Sequence, residues 1–324
     1  MSRIAELLQD VEIADGGSSE SRLKGVRFFK ATQPSPKKPV LYDPGICIVA
    51  QGHKVGYLGG RMFRCDANHY LVVSVTMPFE CETFASPEEP LLALYIDVDM
   101  AQLHDLIGRL YDQAEFDKID AKALARGIGP AAMEKDMADA TYRLVKCLQT
   151  DTEAQILGPG LVREILYRTL AGAQAPGLYS LARHSGAFSQ VAGALKIMQA
   201  NYYTKLDVEH LANTARMSPS AFYRAFKEVT SDSPMQYLKK VRLNKAKNMI
   251  VNENMKAYIA AEKVGYESTS QFSREFKRYF GQCPAEMLRE IRIAKGGAIE
   301  AIGTPGGRDR VVSADPAPGE KRGR

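Results

Sequence analysis

Arg224 and Arg274 stand fifty residues apart in matching surroundings, and both have the chemistry to read nucleic-acid bases. A guanidinium can donate two parallel hydrogen bonds to guanine O6 and N7, and serine or threonine hydroxyls can serve either base type. Ser220 and Tyr223 precede the first arginine; Thr269, Ser270 and Gln271 precede the second. Lys227 and Lys277 follow three residues after each, where they suit phosphates, contacts that position a protein without reading sequence. A lone surface arginine is ordinarily just solvated. Recurrence at one offset favours contact instead.

The surrounding residues recur too. Phe222 and Phe272, Phe226 and Phe276, Pro234 and Pro284, and Leu238 and Leu288 share the same offset. A period this long means one supersecondary unit used twice. In the first copy a short helix is expected from Asp207 to Ala215, with Asp207 as N-cap and Val208, Leu211, Ala212 and Ala215 on one face. After a tight turn, Ser218 can cap a second helix from Pro219 to Val229, with Phe222, Phe226 and Val229 buried. The second copy predicts helices over Ala257 to Val264 and Thr269 to Phe280, with Phe272, Phe276 and Phe280 buried. Its turn is one residue longer, and Gly265 can take the positive φ such a turn requires. Two short helices joined this way form a helix-turn-helix, whose second helix fits the major groove. Between the copies, Pro234 to Ile250 predicts a rod roughly 26 Å long. Such a rod can hold two second helices about one DNA turn, roughly 34 Å, apart.

The doubled unit, the linker carrying Tyr237, Arg242 and Ala246, and the closing V-G-Y…F-S-R-E-F-K-R-Y-F-G…P resemble the AraC/XylS family of bacterial transcription regulators over about Val191 to Arg289. The resemblance implies sequence-specific binding to double-stranded promoter DNA. It implies that Ser220, Tyr223 and Arg224 face bases in copy one, and Thr269, Ser270, Gln271 and Arg274 in copy two. A homodimer is also implied, and RNA polymerase is a candidate partner.

Charge divides the chain in the same place. Residues 186–292 carry seven more basic than acidic side chains, whereas the first 185 carry four more acidic than basic. A basic half is the electrostatic footprint of a nucleic-acid binder. Five cysteines without a CxxC spacing argue against structural zinc, and an odd number without a framework fits a reducing compartment. The first residues carry acids where a signal peptide would be apolar, so a cytoplasmic protein with no membrane segment is expected.

In the N-terminal half, short apolar runs at Ile46, Lys54, Arg61, Tyr70, Glu80 and Leu91 predict strands, with Gly59-Gly60 as a two-residue hairpin turn. Many short strands at even spacing suggest a small barrel or sandwich. The stretches L-Y-D-P-G-I-C-I-V-A-Q-G-H-K, N-H-Y-L-V-V-S-V-T-M-P and E-E-P-L-L-A-L-Y-I-D-V-D resemble the cupin-like N-terminal domain of one AraC subfamily. That resemblance implies a small-molecule effector in the barrel mouth and a role in dimerisation. Candidate effector residues are Cys47, His53, Arg61, Arg64 and His69, with Arg22 and Arg27 able to join an anion grip. The alternative function is a cupin-type metalloenzyme fused to a DNA-binding module. His53 and His69 lie sixteen positions apart with no H-x-H pair, so no metal, cofactor or catalytic residue is expected.

Met133, Met137, Ala140, Leu144 and Leu148, then Leu161, Ile165, Leu166 and Leu170, predict helices over Pro130 to Gly172. Residues 174–177 and 183–186 look like a hinge. The expected class is α+β, with a cupin-like β-barrel and accessory helices followed by an all-α double helix-turn-helix domain. The divisions are an N-terminal arm (1–24), a sensor (25–110), a helical dimerisation and linker segment (111–180), a DNA-binding domain (186–292) and a disordered tail (293–324). The tail's glycine, proline and charge cannot build a core.

Overall fold

Short apolar runs separated by turn residues build, among the described residues, ten strands in two antiparallel sheets. The computed structural model describes residues 1–9, 11, 13, 15–110, 127–172, 175–182 and 186–290. The six-stranded sheet contains β1 (Gly17–Glu20), β2 (Val26–Ala31), β4 (Gly45–Gln51), β7 (His69–Val73), β9 (Leu91–Asp97) and β10 (Ile128–Ala132), ordered β1-β2-β9-β4-β7-β10. The four-stranded sheet contains β3 (Ser35–Tyr42), β5 (His53–Leu58), β6 (Arg61–Cys65) and β8 (Met77–Phe84), ordered β3-β8-β5-β6. Gly59 and Gly60 turn β5 into β6 with φ of 57° and 76°, the left-handed pair that a tight hairpin needs. The Tyr42 ring of one sheet meets the Tyr95 ring of the other edge-on at 5.5 Å, so the inner faces pack directly.

The helices cover the six-stranded sheet. In α1 (Ser2–Gln9), Ile4, Ala5 and Leu8 are buried against α3 (Lys135–Cys147) and β4. α2 (Met100–Leu110) packs on α4 (Asp151–Ala171) and α5 (Ala175–Ala182). Thr150 caps α4 by accepting from the Glu153 N–H. Met137, Ala140, Leu144, Leu148, Ile165, Leu166 and Leu170 are buried as their spacing predicts, whereas Met133 and Leu161 are only half-buried.

Two expectations are corrected. Pro130 does not open a helical region, because it lies in β10, which pairs antiparallel with β7. β10 is an edge strand, where proline's missing N–H costs no ladder bond. Residues 175–177 are the start of α5 rather than a hinge, with Pro176 in the first turn where no N–H partner is required. Residues 174 and 183–185 of the expected hinge lie outside the described residues, as does the tail 293–324.

Among the described residues, the C-terminal half is built of helices: α6 (Ala187–Ala200), α7 (Val208–Thr214), α8 (Pro219–Thr230), α9 (Pro234–Val251), α10 (Ala257–Lys263), α11 (Thr269–Phe280) and a helical stretch over 284–290. Local chemistry sets these ends. Asp207 accepts from the Glu209 and His210 N–H groups, Ser218 from Ala221 and Ser268 from Gln271. Ser233 and Gln236 form a reciprocal capping box. The second turn is one residue longer than the first. Gly265 there has φ 84°, and a Cβ on it would lie 2.3 Å from the Tyr203 carbonyl oxygen. Arg216 takes the left-handed conformation in the first turn, at φ 54°.

Phe222, Phe226, Tyr237 and Leu238 share one continuous core with both sheets. Phe272, Phe276, Ala260, Ala261 and Val264 form a second, separate core, at whose edge Phe280 is half-buried. The first helix-turn-helix is therefore welded to the strands. Buried Tyr237 donates from its hydroxyl to the Thr76 carbonyl oxygen at 2.9 Å and accepts from Gln199 Nε2 at 3.0 Å. The Gly127 N–H donates to the Val229 carbonyl oxygen at 3.2 Å. Replacing Tyr237 by Phe leaves the Thr76 carbonyl and the Gln199 amide without this partner. Chemical denaturation should report a loss of about 1–3 kcal/mol.

Candidate nucleic-acid interface and sensor interior

Burial of the phenylalanine stripes decides what the second helices present. With Phe222 and Phe226 inward on α8, Ser220, Tyr223, Arg224 and Lys227 are exposed. With Phe272 and Phe276 inward on α11, Thr269, Ser270, Gln271, Arg274 and Lys277 are exposed. Each set spans two turns of one face, and each begins beside a serine N-cap. Helix α9 joins the two units, and its Arg242 donates to the carbonyl oxygens of Tyr202 (2.6 Å) and Thr204 (2.8 Å). One residue of this face escapes the sequence reading. Glu275, mostly shielded from solvent, accepts from Lys239, Tyr266 and Gln271. The first copy has Ala225 at the equivalent position, so the repeat carries no signal for it.

Of the five candidate effector residues, His53, Arg64 and His69 lie within electrostatic reach of Asp66. Cys47 is buried between the sheets. His53 stacks on Phe84, ring centroids 4.5 Å apart, and burial together with Arg64 lowers its pKa. Arg64 and His69 share Asp66, at 2.8 and 3.0 Å. Burial acts to raise the Asp66 pKa, but bonds from His69, the Asn68 N–H and Arg64 hold it below its ordinary value. Arg61 is exposed on β6 just past the hairpin. Arg27 pairs with Asp97 at 2.6 Å, and Arg22 with Asp151 at 3.2 Å. Among the described residues, no three His, Cys, Asp or Glu side chains are gathered to hold a metal ion. No described helix is long and apolar enough to cross a membrane.

A different set lies along the four-stranded sheet. Lys38 pairs with Cys81 across β3 and β8, and Lys54 with Cys65 across β5 and β6. Lys54 Nζ donates to the Tyr42 hydroxyl at 3.4 Å and lies 5.2 Å from the Phe29 ring centroid. Lys38 is an exposed residue, yet desolvation and the nearby Lys54 charge lower its pKa. From the other half of the chain, Lys247 of α9 lies 5.2 Å from the Phe280 ring centroid; burial and the charge of Lys38 lower its pKa. Lys38 thus lies within electrostatic reach of both Lys54 and Lys247, each of which stands beside an aromatic ring. These lysines are dispersed in sequence, and no local pattern marks them.

Comparison with known proteins accounts for both halves. Residues 22–176 match the family described as AraC-type transcriptional regulator N-terminus, and residues 211–290 match a helix-turn-helix domain. The RCS-specific HTH-type transcriptional activator RclR of Escherichia coli K12 is 39% identical over 85 residues, 26% of this chain and 30% of that protein. The raffinose operon transcriptional regulatory protein RafR of Pediococcus pentosaceus is 34% identical over 100 residues, 31% of this chain and 36% of that protein. The chain thus spans about a third of the length of these curated relatives. Unsaturated fatty acid-bound ToxT of Vibrio cholerae superposes with a TM-score of 0.57 at 12% identity, covering 86% of this chain and 97% of that one, which establishes a shared fold. With relatives named as transcription regulators, the metalloenzyme alternative is not favoured.

Burial also makes the interior thiols poor nucleophiles. It pushes the Cys47 thiol up to about 11, so only about one in a thousand is thiolate at pH 8. Cys65 and Cys81 are raised by the same cause. Labelling of the folded chain with a thiol reagent at pH 8 should modify half-buried Cys283 first and leave Cys47, Cys65, Cys81 and Cys147 slow. Mass spectrometry of the early adduct checks the order.

Proposed function

The chain belongs to the AraC/XylS family of transcription regulators, and from that membership we propose that it binds promoter DNA sequence-specifically under control of a small molecule. Helices α8 and α11 enter successive major-groove segments. Ser220, Tyr223, Arg224, Thr269, Ser270, Gln271 and Arg274 face base edges, and Lys227 and Lys277 hold phosphates. The observation that carries this reading is the pair of equivalently capped helices, each with an exposed polar face, joined by one 18-residue helix. At 1.5 Å per residue that helix is roughly 27 Å long, close to the rise of one DNA turn. The working divisions are a sensor over 25–110, a helical segment over 111–180 and a DNA-binding domain over 186–292.

The effector we assign is an amphipathic carboxylate. Lys38, Lys54 and Lys247 supply positive charge, and the Phe29 and Phe280 rings beside Lys54 and Lys247 supply apolar contact. The Vibrio cholerae protein was solved with an unsaturated fatty acid, a molecule of this class. Because Lys247 belongs to α9, a bound carboxylate would favour one arrangement of the two halves. Control then follows by population shift, scaled by the difference in affinity between arrangements. A homodimer is supported by the face of α4 that exposes Ile156, Leu157 and Tyr167.

Selection of random genomic fragments by the purified chain tests the core of this reading. A bipartite motif with blocks about one helical turn apart is expected; a single block would leave one copy without base reading. Arg274→Ala should cost about 1–3 kcal/mol in specific binding and relax preference at one position. Lys277→Ala should weaken binding to all sequences alike and reduce the salt slope by about one. Titrating oleate against the promoter complex should change DNA affinity, and Lys54→Met should abolish that response. An unchanged response in the variant would remove Lys54 from the effector site.

A further inference from the structure

The two units differ in chemistry at one largely shielded position of their second helices. Where the first has buried Ala225, the second has Glu275, whose side chain is 13% exposed. Three donors from three elements converge on its carboxylate. Oε1 accepts from Lys239 Nζ of α9 at 2.9 Å and from Gln271 Nε2, one helical turn earlier on α11, at 3.3 Å. Oε2 accepts from the Tyr266 hydroxyl, in the turn before α11, at 2.8 Å. Burial acts to raise its pKa, but these bonds together hold it below the ordinary value, so it remains an anion at neutral pH.

An ionised carboxylate only accepts hydrogen bonds. The amide of Gln271 therefore has one permitted orientation, with nitrogen toward Glu275. One N–H is used there. The carbonyl oxygen and the second N–H are left for an outside partner. An acceptor beside a donor on a glutamine amide is the complement of adenine, which offers the N6 amino donor and the N7 acceptor in the major groove. Guanine presents two acceptors on that edge and cannot match it.

We propose that Glu275 is a positioning residue that fixes the Gln271 amide to select adenine at one base pair of the segment read by α11. The inference rests on α11 being a base-reading helix. Lys239 and Tyr266 satisfy the carboxylate's other hydrogen bonds and leave it beside Gln271 as an anion. The first unit has Ala221 and Ala225 at the two equivalent positions and lacks the device. The two units thus read DNA by different means despite their shared frame.

The test is fragment selection with the full chain and three variants, comparing base preference position by position, a readout insensitive to the fraction of protein folded. Gln271→Ala should erase an adenine preference at one position. Glu275→Gln, which can present either a donor or an acceptor to Gln271 and so lets its amide turn over, should lower that same preference about tenfold and leave the positions read by α8 unchanged. Lys239→Met removes the tie between α9 and α11 but keeps the carboxylate beside Gln271. It should lower the melting temperature and preserve the adenine preference. Loss of the preference with Gln271→Ala but not with Glu275→Gln overturns the proposal alone. No change with Gln271→Ala overturns base reading by Gln271 and the proposal with it. Equal loss of specificity in the Lys239 and Glu275 variants assigns Glu275 a purely structural role and overturns it too.

Discussion

The buried hydroxyl of Tyr237 is the constraint on which the arrangement of the two halves depends. It lies where α9 begins and bonds to the backbone of the strand-bearing half and to α6 at once. An unpaired hydroxyl at that depth costs about as much as the bond contributes, so the seam either closes with this geometry or opens altogether. Its surroundings extend the tie. The Thr76 hydroxyl donates to the Asp43 carboxylate at 2.7 Å, and the Tyr95 hydroxyl bonds to the Asp43 carbonyl oxygen. Tyr95 also meets Tyr42, the partner of Lys54, edge-on. A short path of bonded and packed groups therefore connects the space between the sheets to the base of the linker helix.

That path gives the proposed control a physical route. A carboxylate among Lys38, Lys54 and Lys247 would relieve the repulsion between ammonium groups that come from both halves of the chain. It would do so only in arrangements that bring Lys247 to the sheets. The first helix-turn-helix shares its core with the strands, while the second keeps its own. Movement at the seam would thus shift the two units unequally.

The doubled unit also shows how one frame accommodates two chemistries. Equivalent serine caps and phenylalanines enforce the same helix pair twice. The turns diverge, Arg216 bearing left-handed strain in one and Gly265 meeting the Tyr203 backbone without strain in the other. Ala225 and Glu275 diverge further, since only the second adds a charged network beside an exposed face.

Much of the architecture was legible in the sequence because it is set by short-range physics. Caps at Asp207 and Ser218, the hairpin at Gly59-Gly60 and the helix pairs of the fifty-residue repeat are all set within a few residues of themselves. Burial of the repeated phenylalanines then dictated which side chains α8 and α11 expose. β10 escaped because Pro130 reads locally as a helix start, and only pairing with β7 makes it an edge strand. Tertiary structure alone decided the approach of Lys38 to Lys54 and Lys247, the weld of Tyr237 to Thr76, and the bond from Lys239 to Glu275. Each joins residues distant in sequence, whose meeting depends on how whole elements pack, and no local spacing encodes that.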